Sequence, residues 1–283
     1  MTGPEPDVTT VAGLAVHDLG GPADGPVLVL LHANGDSGRC WPDAAARWSP
    51  AYRLFAVDLR GHGRSPRFRP DQLGAPGDVF VEDTVGVLAA LRRNGAPIGA
   101  VGHSLGGAAL TAAAARVPDL ADAMVLVDPP WDTPVVVGPR PAVGAARRVE
   151  VAGYQADPEG ALAGLREREP GWPEAEYRPW VDAKLHLDLD YVETGGGRPT
   201  TPWTESVPMI RTPTLLVTGD GEVITGEASR AVVAEIAPAI EVVVVPGAGH
   251  YVRHQQTEAF HAVVDPWLQR RLAHREQVST ASD

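Results

Sequence analysis

A serine flanked by two glycines is the feature that most constrains how this chain can fold. Ser104 lies in GHSLG, residues 102–106, directly after the apolar run Ile98–Val101 and directly before an alanine-rich stretch. Alanine has high helix propensity, so the pattern predicts a strand, a sharp turn and a helix in succession. The glycines are expected because a Cβ at either position would collide with the neighbouring turn. A serine displayed on such a corner is a candidate nucleophile, provided that a base and an acid lie elsewhere in the chain.

Short apolar runs that end in turn residues predict a sheet around this corner. Continuous rather than alternating apolar character is typical of strands that are buried on both faces of a mainly parallel sheet. The stretch Thr9–Leu19 is expected to supply edge strands. Besides Ile98–Val101, the predicted inner strands are Val27–Leu31, Leu54–Val57, Met124–Val127, Thr214–Thr218 and Ile240–Val245.

Helical segments separate these strands, and one long stretch interrupts the alternation. The predicted helices are Asp78–Asn94, Leu105–Val117, Gly226–Ala237 and Thr257–Arg275, the last followed by a polar tail that is expected to fray. This alternation predicts a doubly wound α/β sheet.

Between Asp132 and Pro208 the chain offers only helical pieces, Pro158–Glu169 and Pro173–Leu189. That stretch is too long for a plain loop. We therefore predict a helical cap over residues 132–207, inserted into a core domain of residues 1–131 and 208–283.

A base and an acid for the serine can be sought at the ends of the other strands, because functional groups gather at the carboxyl edge of a parallel sheet. His250 ends the stretch VVVVPGAGH and is the candidate base, with glycines that let the backbone turn the imidazole toward Ser104. Three carboxylates are candidates for the acid that orients His250. Asp128 follows one strand and is slightly preferred, Glu222 follows the next, and Asp220 ranks third. Each of them can also be read as an ordinary capping carboxylate.

An acyl-transfer site also needs two backbone donors for the oxyanion of its tetrahedral intermediate. The N–H group of Leu105, directly after Ser104, is one candidate. The second is expected from the loop after the first long strand, where Asn34 is followed by a turn-forming glycine.

These motifs, in this order, resemble the α/β-hydrolase fold family with a cap domain. The matching pieces are LLHANG at residues 30–35, DLRGHGRS at 58–65, GHSLGG at 102–107 and PGAGH at 246–250. The resemblance implies a sheet of about eight strands with the active site beneath the cap. It also implies Ser104 as nucleophile, His250 as base, and the N–H groups of Asn34 and Leu105 as the oxyanion hole.

The chain departs from the family pattern at two positions. Ala33 stands where a glycine is usual, and Glu222 stands where many members keep an aspartate. In a minority of members the acid lies 24 positions after the nucleophile, which is the position of Asp128. Relatives that form an alkyl-enzyme ester have aspartate at the strand–helix corner, the nucleophile elbow, where this chain has Ser104. A serine at the elbow excludes that ester and leaves acyl transfer as the expected chemistry.

Composition excludes several other classes of protein. The formal net charge of −12 argues against nucleic acid and against anionic membrane surfaces as partners. The single cysteine, Cys40, cannot form an internal disulfide, and no Cys/His cluster indicates a metal site. With no signal peptide and no run of about 18 apolar residues, we expect a cytoplasmic protein without metal or organic cofactor.

The expected function is hydrolysis of a small apolar ester or lactone through an acyl-enzyme. Four tryptophans, Trp131, Trp172, Trp180 and Trp203, are expected to line an apolar pocket, although they could equally pack the cap onto the sheet. Lys184 is expected to be a solvated helix residue. The same three residue types could instead serve C–C or thioester hydrolysis or a cofactor-free lyase or perhydrolase reaction, and a non-catalytic ligand sensor is the alternative from another class.

Overall fold

An eight-stranded sheet forms the body of the protein. The structure, a computed structural model, describes residues 7–93 and 95–273. The strands are β1 (Asp7–Val11), β2 (Leu14–Asp18), β3 (Val27–Leu31), β4 (Arg53–Val57), β5 (Ile98–His103), β6 (Ala123–Val127), β7 (Thr214–Gly219) and β8 (Glu241–Val245). Their order in the sheet is β1-β2-β4-β3-β5-β6-β7-β8, antiparallel at β1–β2 and β2–β4 and parallel elsewhere. The predicted doubly wound, mainly parallel α/β fold is confirmed.

Helices cover both faces of this sheet. They are α1 (Pro42–Trp48), α2 (Pro76–Leu91), α3 (Leu105–Arg116), α4 (Pro141–Ala156), α5 (Pro158–Arg168), α6 (Glu174–Lys184), α7 (Leu189–Thr194), α8 (Trp203–Ser206), α9 (Glu227–Ile236), α10 (Val252–Gln255) and α11 (Thr257–Leu272). Short 3₁₀ turns occupy Pro70–Gln72 and Val207–Met209. Successive residues of β3 belong to two separate hydrophobic cores. Val29 lies in the core that includes residues of α2 and α3, and Leu30 lies in the core that includes residues of α1 and α11. Both faces of the inner strands are therefore buried, as their continuous apolar runs predict.

The predicted element ends differ from the structure in a few places. The strand predicted at Ile240–Val245 is not buried on both faces, because β8 lies at the edge of the sheet and most of it is exposed or half-buried. The predicted helix Pro173–Leu189 is two helices, because Asp188 caps a new one by accepting hydrogen bonds from the N–H groups of Asp190 and Tyr191. The predicted ends at Asn94 and Arg275, and the polar tail, lie outside the described residues.

Residues 132–207, called the helical segment from here on, lie between β6 and β7. From Asp128 to Pro213, all of which is described, the chain forms helices α4 to α8 and no strand. Helix α6 packs against α1 and helix α8 against α3, which places the segment over the body of the protein. The division into a core domain and a cap domain remains a prediction. Within residues 7–93 and 95–273, no helix combines the length and the apolar character that crossing a bilayer requires.

Candidate active site

The corner between β5 and α3 holds Ser104 in an uncommon backbone conformation. Ser104 has φ +48° and ψ −110°, and its N–H group donates to the carbonyl oxygen of Val127 at 2.9 Å. A Cβ on Gly102 would lie 2.6 Å from the carbonyl oxygen of Gly106, and one on Gly106 would lie 2.2 Å from that of Leu31. The glycines on either side of the serine are thus required by close backbone approach, which explains the GHSLG pattern.

Asp128 directly follows β6, the strand next to β5, at the same level as Ser104. His103 and Val127 are register partners, so Ser104 and Asp128 follow side by side at the carboxyl edge of the sheet. The Asp128 carboxylate is fully buried. It accepts hydrogen bonds from the Thr218 hydroxyl at 2.8 Å and from the N–H groups of Ile224 and Thr225 at 3.0 and 2.9 Å.

The fourth partner of Asp128 is the candidate base. His250 Nδ1 donates to Asp128 Oδ2 at 2.5 Å. Burial raises the pKa of Asp128, but the hydrogen bonds and charge of His250 and the two backbone donors outweigh it, so the pKa lies below its usual value. The carboxylate therefore stays ionised and accepts the hydrogen bond from Nδ1–H, an arrangement that makes Nε2 the proton acceptor whenever the imidazole is neutral.

The alternative acids lie elsewhere. Glu222 is exposed and lines a second cavity together with His250, but among the described residues it forms no ion pair or hydrogen bond through its carboxylate. Asp220 is also exposed, and its carboxylate accepts from the N–H group of Gly247 at 2.7 Å. Of the three carboxylates considered, Asp128 is the one bonded to His250.

The loop after β3 places a second N–H group beside the elbow. Asn34 and Leu105 line the same cavity as Ser104 and His250. Neither of their N–H groups donates to another loop or side-chain atom among residues 7–93 and 95–273, so both are available to an oxyanion. Ala33, where the family keeps glycine, does not have a positive φ, so its side chain is accommodated without strain.

Buried polar side chains hold this loop in place. The Asn34 side-chain oxygen accepts from the Tyr191 hydroxyl at 3.0 Å, and His62 Nε2 accepts from the N–H group of Gly35 at 3.2 Å. Burial and the neighbouring His32 lower the pKa of His62 to about 3, so this imidazole is neutral and can act as an acceptor. His62 thus supports the loop, in line with a scaffolding role.

The expectation that Lys184 is a solvated helix residue is wrong. It is 5% exposed rather than solvated, and its ammonium donates to the carbonyl oxygen of Gly35 at 2.7 Å and to Asp36 Oδ1 at 3.0 Å. The same ammonium lies 3.7 Å from the centre of the Trp180 ring. The sequence carries no signal for this position, since the ion-pair partner is distant in the chain.

The four tryptophans expected to line the pocket do not line the cavity that contains Ser104. Trp131 and Trp203 stack on each other, with ring centres 5.5 Å apart. Trp172 stacks on His254 and faces the cavity beyond His250, and Trp180 packs edge-on against Trp172. All four are buried, because their large apolar area is used to pack the helical segment together and onto the body.

The cavity itself has a volume of about 180 Å³ and a polar lining. The helical segment contributes three arginines to it, Arg140, Arg147 and Arg198, and a run of three glycines, 195–197. The rest of the wall, next to the catalytic candidates, is formed by Ala33, Pro130, Ile224 and Tyr251. The three arginines could not be predicted as site residues, because sequence spacing alone does not show that residues 140, 147 and 198 converge.

Comparison with known proteins agrees with this architecture. Residues 28–265 match the alpha/beta hydrolase family, and the chain belongs to that family. Over 254 residues it is 29% identical to 2-(acetamidomethylene)succinate hydrolase of Mesorhizobium japonicum, an alignment that covers 83% of this chain and 84% of the relative.

Solved structures show the same fold at lower identity. The enol-lactonase of Burkholderia xenovorans has a TM-score of 0.69 and 22% identity, with 93% of this chain and 100% of that one covered. A thermophilic esterase of Thermogutta terrifontis has a TM-score of 0.69 and 21% identity, with 94% and 99% covered. These likenesses show that the chain shares the fold of the two enzymes. Within residues 7–93 and 95–273, no three or more His, Cys, Asp or Glu side chains are grouped to hold a metal ion.

Proposed function

We propose that this protein is a serine hydrolase that cleaves an ester or lactone of a small molecule through an acyl-enzyme. The observation that carries the proposal is the 2.5 Å hydrogen bond between His250 and a buried, ionised Asp128, with His250 and Ser104 lining one cavity. An oriented imidazole beside an elbow serine is the arrangement that activates a hydroxyl for acyl transfer.

The steps follow from the roles of the groups. Ser104 Oγ attacks the carbonyl carbon while His250 Nε2 takes its proton, and Asp128 stabilises the imidazolium through Nδ1. The N–H groups of Asn34 and Leu105 donate to the oxyanion. When the C–O bond to the leaving group breaks, His250 returns the proton to the departing oxygen. Water then attacks the acyl-enzyme with His250 again as base, which releases the acid and restores Ser104.

An amide bond is the second candidate for cleavage. The Mesorhizobium relative is named for hydrolysis of an acetamido compound, and the alignment spans most of both chains. The same groups serve this reaction, since His250 can protonate a leaving nitrogen as it protonates a leaving oxygen. A substrate screen should therefore contain N-acyl compounds beside esters and lactones.

The first experiment measures whether Ser104 is activated. We expect a serine-directed fluorophosphonate to add once to the wild-type protein, by intact mass, and not to Ser104→Ala. His250→Ala keeps the serine but lacks the base, so its labelling should slow by about 10²-fold or more. Equal labelling of wild type and His250→Ala, or no adduct on folded wild type, would contradict the proposal.

A further inference from the structure

Positive charge is concentrated around the candidate nucleophile in a chain that is negative overall. The protein has a formal net charge of −12, yet three guanidinium groups of the helical segment line the cavity that contains Ser104. Arg140 lies directly before α4, Arg147 lies on α4, and Arg198 follows α7. Two stretches of chain that are distant in sequence thus bring the same charge to one small space.

Among residues 7–93 and 95–273, Arg198 is the one of these three arginines that forms a side-chain ion pair. Asp132 Oδ2 accepts from Arg198 Nε at 2.8 Å and lies 2.7 Å from its second nitrogen. Arg140 and Arg147 form no side-chain hydrogen bond or ion pair with any residue of 7–93 or 95–273, and Arg140 Nε is buried without a partner. Burial lowers the pKa of Arg140, and the nearby charge of Arg198 lowers it further.

The backbone directly before Arg198 lies close to side chains near Ser104. A Cβ on Gly197 would lie 2.6 Å from the Leu105 side chain and 2.9 Å from the Tyr191 hydroxyl, so only glycine fits there. This close approach holds Arg198, the next residue, at the wall of the cavity. The arginine is thus placed by packing against the candidate oxyanion donor Leu105 and not by a flexible surface loop.

An unpaired guanidinium that is half-buried, as that of Arg140 is, is costly, and a carboxylate is the group whose geometry matches its forked donors. Arg147 is exposed and lines the same cavity. We infer that Arg140, Arg147 and Arg198 form a carboxylate-binding subsite beside Ser104, so that the substrate carries a carboxylate as well as the bond to be cleaved. This inference rests on the proposed function. It replaces the apolar substrate expected from the sequence. At about 180 Å³ the cavity is below the usual range of roughly 300–1,000 Å³ for ligand pockets, which favours a small acid.

Two esters of nearly equal shape test this assignment. Methyl hydrogen succinate carries a carboxylate where methyl butyrate carries a methyl group, and proton release in a pH-stat measures hydrolysis of both. We expect wild-type kcat/KM to be at least about tenfold higher for the anionic ester, as charge-assisted hydrogen bonds imply. If the two esters are hydrolysed equally well, or methyl butyrate is preferred, the inference is wrong.

Variants then assign the effect to the arginines. Arg140→Gln and Arg147→Gln should each lower kcat/KM for methyl hydrogen succinate by about 10- to 100-fold and lower that for methyl butyrate by a clearly smaller factor, so that the preference for the anionic ester falls. Arg148→Gln is the matched control, because Arg148 is the next residue on the same helix, does not line the cavity and pairs with Glu193. Equal losses on both esters, or the same loss in Arg148→Gln, would overturn the assignment.

Binding to the inactive variant separates this inference from the proposed function. Succinate should bind to Ser104→Ala, by calorimetry, and bind at least about tenfold more weakly once Arg140→Gln is added. Succinate binding in a wild-type protein that hydrolyses no ester, lactone or amide would contradict the proposed hydrolysis but support the subsite. Hydrolysis without succinate binding would support the proposed function and contradict the carboxylate-binding subsite. Binding of inorganic phosphate in preference to succinate would overturn the carboxylate assignment.

Discussion

At the residue scale, two of the non-glycine residues with positive φ lie in the candidate active site. Ser104 has φ +48° and Asp128 has φ +38°, and both follow register-paired strand ends. Such conformations cost about 1–3 kcal/mol each and persist only where the surroundings determine them. Here backbone bonds to β6 and β7 determine them, since Ser104 donates to Val127 and Asp128 donates to Val217. The strain is stored at the two positions that must hold their side chains toward His250 and the cavity.

Exchange of the carboxylates tests which one orients His250. Asp128→Asn keeps the shape of the side chain but favours the wrong imidazole tautomer, so we expect kcat to fall by about 10²- to 10⁴-fold. Glu222→Gln changes an exposed group that is not hydrogen-bonded to His250, and kcat should stay within about twofold. Initial rates on the best ester of the screen give both values. Similar, mild losses in the two variants would contradict the assignment of Asp128.

At the scale of elements, a buried ion pair connects helix α6 to the loop after β3, which contains Asn34. Lys184 ends α6, and its ammonium donates to Gly35 and Asp36, directly after Asn34. Both charged side chains are nearly inaccessible, at 6% and 3% exposure. A buried pair of this kind is costly to break because the remaining charge has no partner. The helical segment thus holds the loop that presents the candidate oxyanion donor.

Removal of one partner of that pair should destabilise the protein more than removal of both. Lys184→Met leaves Asp36 buried and unpaired, and we expect a loss of about 3–5 kcal/mol in the free energy of unfolding. The double variant with Asp36→Asn should recover part of that loss. Urea denaturation of the three proteins measures it. A double variant no more stable than Lys184→Met alone would show that the charge pair is not what holds α6.

The elements themselves were largely predictable, for a physical reason. Strands such as β3 are buried on both faces, so they appear as unbroken apolar runs, and the predicted Val27–Leu31 agrees with the structure. Helix α4 escaped prediction because it is mostly exposed and has only Gly144 and Val151 buried. Its position depends on packing against α7 and not on an apolar stripe of its own.

For the molecule as a whole, a buried ionic cluster joins the helical segment to the body. Glu176 of α6 is fully buried and accepts from Arg253 of α10 at 2.5 Å and from the N–H group of Asp43 at 3.2 Å. Burial raises the pKa of Glu176, but Arg253 and His254 outweigh it and bring the pKa down to about 2. Because the folded-state pKa is depressed, this carboxylate stabilises the fold above its usual pKa, and the contribution is lost as pH falls toward 2.

Acid titration of stability tests that linkage. Glu176→Gln should be less stable than the wild type by about 3–5 kcal/mol at pH 7, and the difference should shrink as pH falls from about 4.5 to 2. Glu174→Gln is the control, since Glu174 lies on the same helix and pairs with Arg166 at the surface, where little stability is expected. Urea denaturation at a series of pH values gives the differences. A gap for Glu176→Gln that stays constant with pH would contradict the assignment.

The candidate site was predictable only where local backbone geometry demands particular residues. Ser104 and His250 stand out because close approach and tight turns require glycines around them. The arginines and Lys184 have no such local signature. Their placement depends on how α4, α6 and α7 pack over the sheet, and that packing also buries the tryptophans that the sequence suggested for the pocket.

The stacked pair Trp131 and Trp203 has a consequence for how such a protein can diversify. The two rings lie near the start and the end of the helical segment, so the chain leaves the sheet and returns to it at neighbouring points. Residues 132–207 are thereby connected to the body as a segment with adjacent ends, while Ser104, Asp128 and His250 lie outside it. Over evolutionary time, such a segment can be replaced or reshaped without displacing the residues at the sheet edge, so selectivity and bond cleavage are free to change separately.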